Sequence, residues 1–169
     1  MRKALFGSLA LILLCAAPGF GATATANMAV GATVLNVCTI TATPLAFGNY
    51  DPTVSAANDN TGTLVVACTL GASANVTLDQ GTHAASGSSD SSPLRQMQGT
   101  VDAAQHLRYD LYQNTGRTTI WGNTIGTGEG YTGVGPLNTT TLTVYGRLPI
   151  NQSAKAEVYS DVVVATITY

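Results

Sequence analysis

Short runs in which β-branched or aromatic residues alternate with polar ones constrain this fold most. The runs are rich in Val, Thr, Ile and Tyr, and clusters of Gly, Asn, Asp and Ser separate them. A period of two is typical of a strand with one buried face, and almost no segment has the 3.6-residue period of a helix. The pattern predicts an all-β sandwich with strands at Thr63–Cys68, Asn75–Asp79, Leu107–Gln113, Thr118–Trp121, Thr140–Gly146 and Tyr159–Tyr169. A brief helical turn is predicted at Asp102–Leu107, and a glycine-rich loop at Gly122–Gly135.

Residues 1–24 have the layout of a cleaved secretory signal. Arg2 and Lys3 precede an uncharged run from Ala4 to Ala17, and small-x-small cleavage sites lie between Ala22 and Ala26. The run is too short for a permanent membrane anchor. We therefore expect secretion without a stable membrane anchor. The mature chain of about 145 residues is enough for one domain.

The charge of the mature chain excludes several partners. Without Arg2 and Lys3, five basic residues stand against nine acidic ones, a net charge of −4. With no basic stripe, binding to nucleic acid or to anionic lipid is not expected. Charged residues make up 9 % of the chain, against about 25 % in typical soluble domains. This composition is typical of an extracellular β-protein with a neutral polar surface.

Two cysteines, Cys38 and Cys68, remain after removal of the signal. An even number of cysteines in a secreted chain predicts a disulfide. Closing a loop of about 30 residues stabilises a fold by roughly 3–4 kcal/mol in the chain-entropy model. The alternative, a metal pair, lacks further ligands, because His83 and His106 have no ligand spacing.

No residue pattern predicts an enzyme or a cofactor. The string Gly128–Gly133 matches the dinucleotide-binding glycine pattern, but that pattern needs a preceding strand and a following helix. No nucleophile elbow surrounds any Ser. Among the aromatic residues, Trp121 is predicted to be core, and Tyr109 and Tyr112 are predicted on opposite faces of one strand.

The alternation of apolar residues with small or polar ones is clearest in the segment that begins at Ala26. Ala26, Met28, Val30, Ala32 and Val34 form an apolar face, and the intervening residues are small or polar. The segment is either the first strand of the domain or a projecting strand that fills a groove in another subunit. The pattern alone leaves both possibilities open.

Several motifs together resemble the spore coat protein U family. They cover nearly the whole mature chain: CTITATPLAFGNYDP at 38–52, TGTLVVACT at 61–69, VTLD at 76–79, LRYDLY at 107–112, WG at 121–122, YGRLP at 145–149, YSD at 159–161 and VATITY at 164–169. One departure is Glu157, which stands where members of the family commonly have Gly. The turn into the last strand is therefore expected to differ.

The resemblance implies a fold and a mode of assembly, because the family includes subunits of archaic chaperone–usher (Csu-type) pili. It implies an immunoglobulin-like sandwich that lacks its final strand and leaves a groove open. A periplasmic chaperone lends a strand to this groove, and the next subunit's N-terminal extension replaces it at the outer-membrane usher.

On this basis residues 25–35 are expected to be the donor-strand extension and residues 36–169 the sandwich domain. The donor-strand plugs are then Met28, Val30, Ala32 and Val34. The C-terminal strand is expected to border the groove through Val162, Val163, Val164, Ala165, Ile167 and Tyr169.

Three functions remain open at this point. The first is a structural pilus subunit that supports adhesion and biofilm formation, with neighbouring copies of itself as head-to-tail partners. The second is a spore-coat or extracellular-matrix protein. The third is a monomeric extracellular binding module that uses its Tyr and Trp residues.

Overall fold

The structure, a computed structural model, describes Gly19 and residues 21–169 of the 169-residue chain. Most of the predicted signal peptide lies outside these residues. The chain divides into two units, Met1–Thr33 and Val34–Tyr169, and the strands described below all belong to the second. Within the described residues, no helix is long and apolar enough to cross a membrane.

The second unit is built from β-strands, and the described part of the chain contains no helix. The strands are β1 (Cys38–Thr43), β2 (Asn58–Cys68), β3 (Ser73–Leu78), β4 (Gln96–Gly99), β5 (His106–Arg108), β6 (Asp110–Tyr112), β7 (Glu129–Thr132), β8 (Thr140–Leu148), β9 (Tyr159–Ser160) and β10 (Ala165–Thr168). The prediction of an all-β fold is confirmed.

Three antiparallel sheets organise these strands. The first has the order β1-β2-β8-β6, the second β10-β3-β7 and the third β5-β4-β9. Both β1 and β10 stand at the end of a sheet, so within residues 21–169 each pairs along one side only. These two edge strands lie next to each other.

Alternate positions of the strands supply the core. The buried apolar side chains on β2, β3 and β8 are Leu64, Val66, Cys68, Ala74, Val76, Leu78, Val144 and Leu148. Trp121 packs among them with 1 % of its surface exposed, and its Nε1–H donates to the carbonyl of Val76 at 2.9 Å. The prediction that Trp121 belongs to the core is confirmed.

Arg95 is a buried cation that the sequence analysis did not single out. Its guanidinium donates to three backbone carbonyls, those of Leu78, Asp79 and Trp121, at 2.8–2.9 Å. Burial lowers its pKa, and the nearby Tyr109 and the carboxylates around it act in the opposite direction. Arg95 thus ties the end of β3 to the segment that carries Trp121.

Two of the predicted strands are each broken into two shorter ones. The stretch Leu107–Gln113 is interrupted at Tyr109, which separates β5 from β6 in another sheet. Similarly, Tyr159–Tyr169 is interrupted between β9 and β10, which pair with β4 and β3 respectively. The prediction of Thr118–Trp121 as a strand was wrong, because only a single bridge joins Ile120 to Tyr112.

Two predicted irregular segments differ from the structure. The helical turn at Asp102–Leu107 is instead a reverse turn, closed by the Gln105 N–H donating to the Asp102 carbonyl at 2.9 Å, before β5 begins. The glycine-rich stretch Gly122–Gly135 contains β7, which pairs with β3. The strands β1 and β4 were not predicted, and β2 begins earlier than predicted, at Asn58.

Candidate functional site

A cleft of ≈ 1100 Å³ opens beside the free edges of β1 and β10. One wall is the end of β1 with the following segment, 42–50, and the other is residues 154–163 with Ala165. Its floor is apolar and reaches the core at Leu64, Leu78, Leu107, Leu111, Val144 and Leu148. The molecule therefore has an apolar groove flanked by two strand edges that have no second partner strand among the described residues.

The first wall, Pro44–Tyr50, lies flat on the sheet because side chains of β2 hold its backbone. Asn58 donates to the carbonyls of Phe47 and Asn49 at 3.1 and 3.0 Å, and Asn60 donates to that of Ala46. At the end of the segment, the Tyr50 hydroxyl donates to the Pro149 carbonyl at 3.0 Å. These bonds fix the wall without adding a strand to the sheet.

Glycines beneath this wall let it approach closely. A Cβ at Gly146 would lie 2.7 Å from Leu45 Cδ1 and 2.8 Å from Phe47 Cζ. A Cβ at Gly62 would lie 3.0 Å from Leu45 Cβ. The two glycines make the recess in which Leu45 and Phe47 rest.

Aromatic packing joins the first wall to the interior. The ring centroids of Phe47 and Tyr109 are 6.2 Å apart and the rings are tilted by 58°, at a distance typical of favourable aromatic pairs. Tyr109 is buried, and its hydroxyl donates to Asp161 Oδ2 at 2.6 Å. Burial raises the pKa of Tyr109, and the hydrogen bond to Asp161 raises it further. Tyr109 thus connects the two walls as a neutral donor.

Asp161 anchors the second wall. Its side chain is 2 % exposed and accepts hydrogen bonds from Tyr109, from the Thr82 N–H at 2.9 Å and from the Thr82 hydroxyl at 2.6 Å, with His83 Nδ1 at 3.1 Å. Burial alone would raise the pKa of Asp161, but these hydrogen bonds outweigh it and the pKa lies below its ordinary value. The chain bends here, so that β9 and β10 join different sheets.

A second aspartate fixes the start of β10. The Val164 N–H donates to Asp79 Oδ1 at 2.9 Å, and the Asp79 N–H donates to the Val164 carbonyl at 3.0 Å. Val164 is consequently bonded to the end of β3 and does not line the groove. Asp79 and Asp161 together determine where the edge strand begins.

Glu157, the departure from the family pattern, lies in the second wall. Its Oε2 accepts from the N–H groups of Val101 and Asp102 at 2.7 and 3.1 Å, while Oε1 is buried and has no hydrogen-bond partner among the residues that the structure describes. Gly99 lies directly beneath the carboxylate. The glutamate thereby attaches the Val101 turn to this wall, a contact that glycine cannot make.

The predicted groove-edge residues lie in four places, one of which is the position of Val164 at the end of β3. Val162, Val163 and Ala165 line the groove. Ile167 packs against the core, and Tyr169 lines a smaller cleft of ≈ 390 Å³. The wall segments 44–50 and 154–158 were not predicted as groove, because they are not strands and carry no periodic signal.

Cys38 and Cys68 form a disulfide, as predicted. They are also direct register partners, at the first residue of β1 and the last of β2. The bond therefore ties the edge strand beside the groove to the strand behind it.

The predicted plug residues are exposed. Met28, Val30 and Val34 expose 85 %, 84 % and 80 % of their surfaces, and Ala32 is exposed as well. Residues 21–37 belong to no strand in the structure. The alternating apolar face of this segment is thus unburied.

The glycine string and the two histidines, which were considered as signs of catalysis or metal binding, occupy the following places in the described part of the chain. The Gly128–Gly133 string, predicted to lie in a loop, contains β7 and no helix follows it. His83 contacts Asp161, whereas His106 is exposed on β5. No group of three or more His, Cys, Asp or Glu side chains suited to a metal ion occurs among the described residues.

The sheets and the open edges define an immunoglobulin-like sandwich. A solved structure with a similar fold is the CsuC–CsuE chaperone–tip adhesion subunit pre-assembly complex from archaic chaperone–usher Csu pili of Acinetobacter baumannii. The TM-score is 0.53 at 20 % identity, over 81 % of this chain and 40 % of that chain. At this identity the likeness concerns the fold alone.

The chain belongs to the Spore Coat Protein U domain family, whose family model matches residues 24–166. Protein U of Myxococcus xanthus is 41 % identical over 167 residues, which covers 93 % of this chain and 91 % of that protein. The resemblance inferred from the motifs is confirmed.

Proposed function

We propose that this chain is a structural subunit of a surface pilus whose copies are joined by donor-strand complementation. The N-terminal extension of one copy completes the groove of the next. One observation carries the proposal: an apolar groove lies beside two free strand edges, and the same chain has an exposed apolar segment of strand periodicity.

The groove and the extension have matching chemistry. Free edges of β1 and β10 present unpaired backbone N–H and C=O groups, which an added strand would satisfy. The apolar floor would accept alternate side chains of that strand. Burying a large apolar side chain contributes roughly 1.5–3 kcal/mol. Met28, Val30 and Val34 should therefore contribute most, and Ala32 little.

The proposed organisation has three parts. Residues 1–24 direct secretion, residues 25–35 are the donor strand, and residues 36–169 are the acceptor domain. Because extension and groove are different surfaces, their contact is heterologous and produces an open, head-to-tail fibre. A periplasmic chaperone would fill the groove with a strand before assembly. At the outer-membrane usher, the N-terminal extension of the next subunit would replace that strand. The resulting fibre would support adhesion and biofilm formation.

A second candidate is a structural protein of a spore coat or extracellular matrix. The family description and the 41 % identity to Protein U favour it. Immunogold labelling distinguishes the candidates: label along thin surface fibres supports the pilus, and an even shell around spores or cells supports the coat.

The decisive experiment compares two charge substitutions on opposite faces of the extension. Val30→Asp places a carboxylate on the plug face and should abolish fibres on producing cells, because burial of an unpaired charge is unfavourable. Ala29→Asp makes the same charge change on the other face and should leave fibres in place. Deleting residues 26–34 should also prevent fibres. Fibres of normal abundance from Val30→Asp or from the deletion would refute donor-strand assembly.

A further inference from the structure

We propose a second contact between successive copies, which rests on the proposed function: an apolar cap at the disulfide end of one domain packs on the opposite end of the next. The cap comprises Leu35, Val37, Leu70, Val134 and Leu137. The receiving patch comprises Val101 and Val158.

The cap is an exposed apolar surface. Its side chains expose between 46 % (Val134) and 95 % (Leu137) of their surfaces. The segments 34–37, 69–74 and 132–138 contain no charged residue. Single exposed apolar residues need no explanation, but a cluster of this kind without charge is typical of an interaction surface.

Backbone hydrogen bonds hold the cap together as one surface. The Val37 N–H donates to Thr69 Oγ1 at 3.1 Å, and the Thr69 N–H donates to the Val37 carbonyl at 3.0 Å. On the other side, the Gly71 N–H donates to the Gly133 carbonyl at 2.8 Å. The Asn138 N–H, next to Leu137, closes a turn onto the Gly135 carbonyl at 3.0 Å. Three chain segments therefore present their apolar side chains at one end of the sandwich.

The length of the linker identifies the occupant as a second copy. The last plug, Val34, is four residues before Cys38, so their Cα atoms are at most about 14 Å apart even when the chain is fully extended. Cys38 is fixed at the cap end by its disulfide to Cys68. A copy that accepts Val34 in its groove must therefore come against the donor's cap.

Strand direction selects the receiving end. All pairings between strands in the described part of the chain are antiparallel, the slightly more stable arrangement. An extension antiparallel to β10 places Val34 toward Val162, at the end of the groove where Val158 lies. There Val101 and Val158 are 86 % and 69 % exposed, and the Thr100 N–H donates to the Val158 carbonyl at 2.9 Å. The charged residues Lys155 and Asp102 form a polar rim beside this patch.

The test is disulfide crosslinking in fibres sheared from producing cells. The double variant Leu137→Cys/Val158→Cys should yield a ladder of covalent multimers on non-reducing gels that reducing agent collapses. Leu137→Cys/Thr115→Cys is the control, since Thr115 lies on an exposed side loop, and it should yield no ladder. Leu137→Cys alone should also give monomers.

A second measurement does not depend on new cysteines. The variant Leu70→Ser/Leu137→Ser leaves extension and groove intact, so fibres should still form. Their dissociation in denaturant should be faster by about tenfold or more, because two apolar side chains lose their buried environment.

The outcomes separate this proposal from the proposed function. Wild-type fibres without a Leu137/Val158 ladder, together with an unchanged dissociation rate of the serine variant, would overturn the cap contact and leave donor-strand assembly standing. Covalent dimers of the Leu137→Cys single variant would contradict the proposed cap contact, because they would show that the caps of two copies meet each other symmetrically. The absence of any wild-type fibres would overturn both.

Discussion

At the scale of single residues, the glycines under the Pro44–Tyr50 wall set how closely it packs. Gly146→Ala would place a methyl group within 2.7–2.8 Å of Leu45 and Phe47. Because these atoms are the far ends of side chains that can shift, we expect a loss in the free energy of unfolding at the lower end of the roughly 1–3 kcal/mol typical of overpacking. Chemical denaturation measures it. Gly130→Ala is the matched control, because a Cβ there meets nothing within 4 Å, and a similar loss in both variants would contradict the packing argument.

Asp161 should make stability depend on pH in the acid range. Its folded-state pKa lies below the ordinary value of 3.8, as hydrogen bonds from Thr82 and Tyr109 outweigh the effect of burial. Its contribution is therefore complete above that ordinary value and is lost as the pH falls through the folded-state pKa. In the Asp161→Asn variant, the free energy of unfolding should therefore decrease less between about pH 5 and pH 2 than it does in the wild type.

The comparison for Asp161 is Asp102→Asn. The pKa of Asp102 is also lowered, by hydrogen bonding with Lys155, but 31 % of this side chain is exposed and solvent screens its charge. Denaturation curves across the pH series should therefore change less in Asp102→Asn. An equal flattening in the two variants would show that burial of Asp161 is not the cause.

At the scale of elements, the disulfide should matter most for β1. Cys38→Ala/Cys68→Ala removes the covalent link between β1 and β2, and should cost roughly 3–4 kcal/mol of unfolding free energy. Since β2 is the one strand that pairs with β1 in the described part of the chain, the amides of β1 should lose hydrogen-exchange protection more than those of β8. Uniform loss across both strands would mean that the bond stabilises the whole sandwich instead of its edge.

The sequence predicted the long strands that supply the core better than the short strands. In β2 and β3, alternate positions such as Leu64, Val66 and Val76 are buried, so their period of two is visible. By contrast, β4 reads QMQG and β7 reads EGYT, and both exist because a neighbouring strand supplies their hydrogen bonds. The groove walls could not be predicted for a related reason. They are held by side-chain contacts with distant segments, such as those of Asn58 and Asp161, which leave no local pattern in the sequence.

At the scale of the whole molecule, the open groove should make the domain dependent on a partner. Expressed in a periplasm without the proposed chaperone, the chain should aggregate or be degraded, because an apolar cleft and free strand edges remain exposed. Fractionation and immunoblotting measure the soluble yield, and co-expression of the chaperone should restore it. A stable soluble monomer without chaperone would instead favour a self-sufficient binding module.

The position of the disulfide has a mechanical consequence for the proposed head-to-tail fibre. Tension along the fibre would enter each domain through the linker at Cys38, the first residue of β1. A strand pulled from its end peels away one hydrogen bond at a time, but here the S–S bond passes the load directly to Cys68 at the end of β2. The central strands would then bear the force in shear. When single fibres are stretched with a cantilever tip, fibres with intact disulfides should keep their length until the donor strands slip out of the grooves. Fibres with reduced disulfides should lengthen at a lower force, because β1 separates from β2 first.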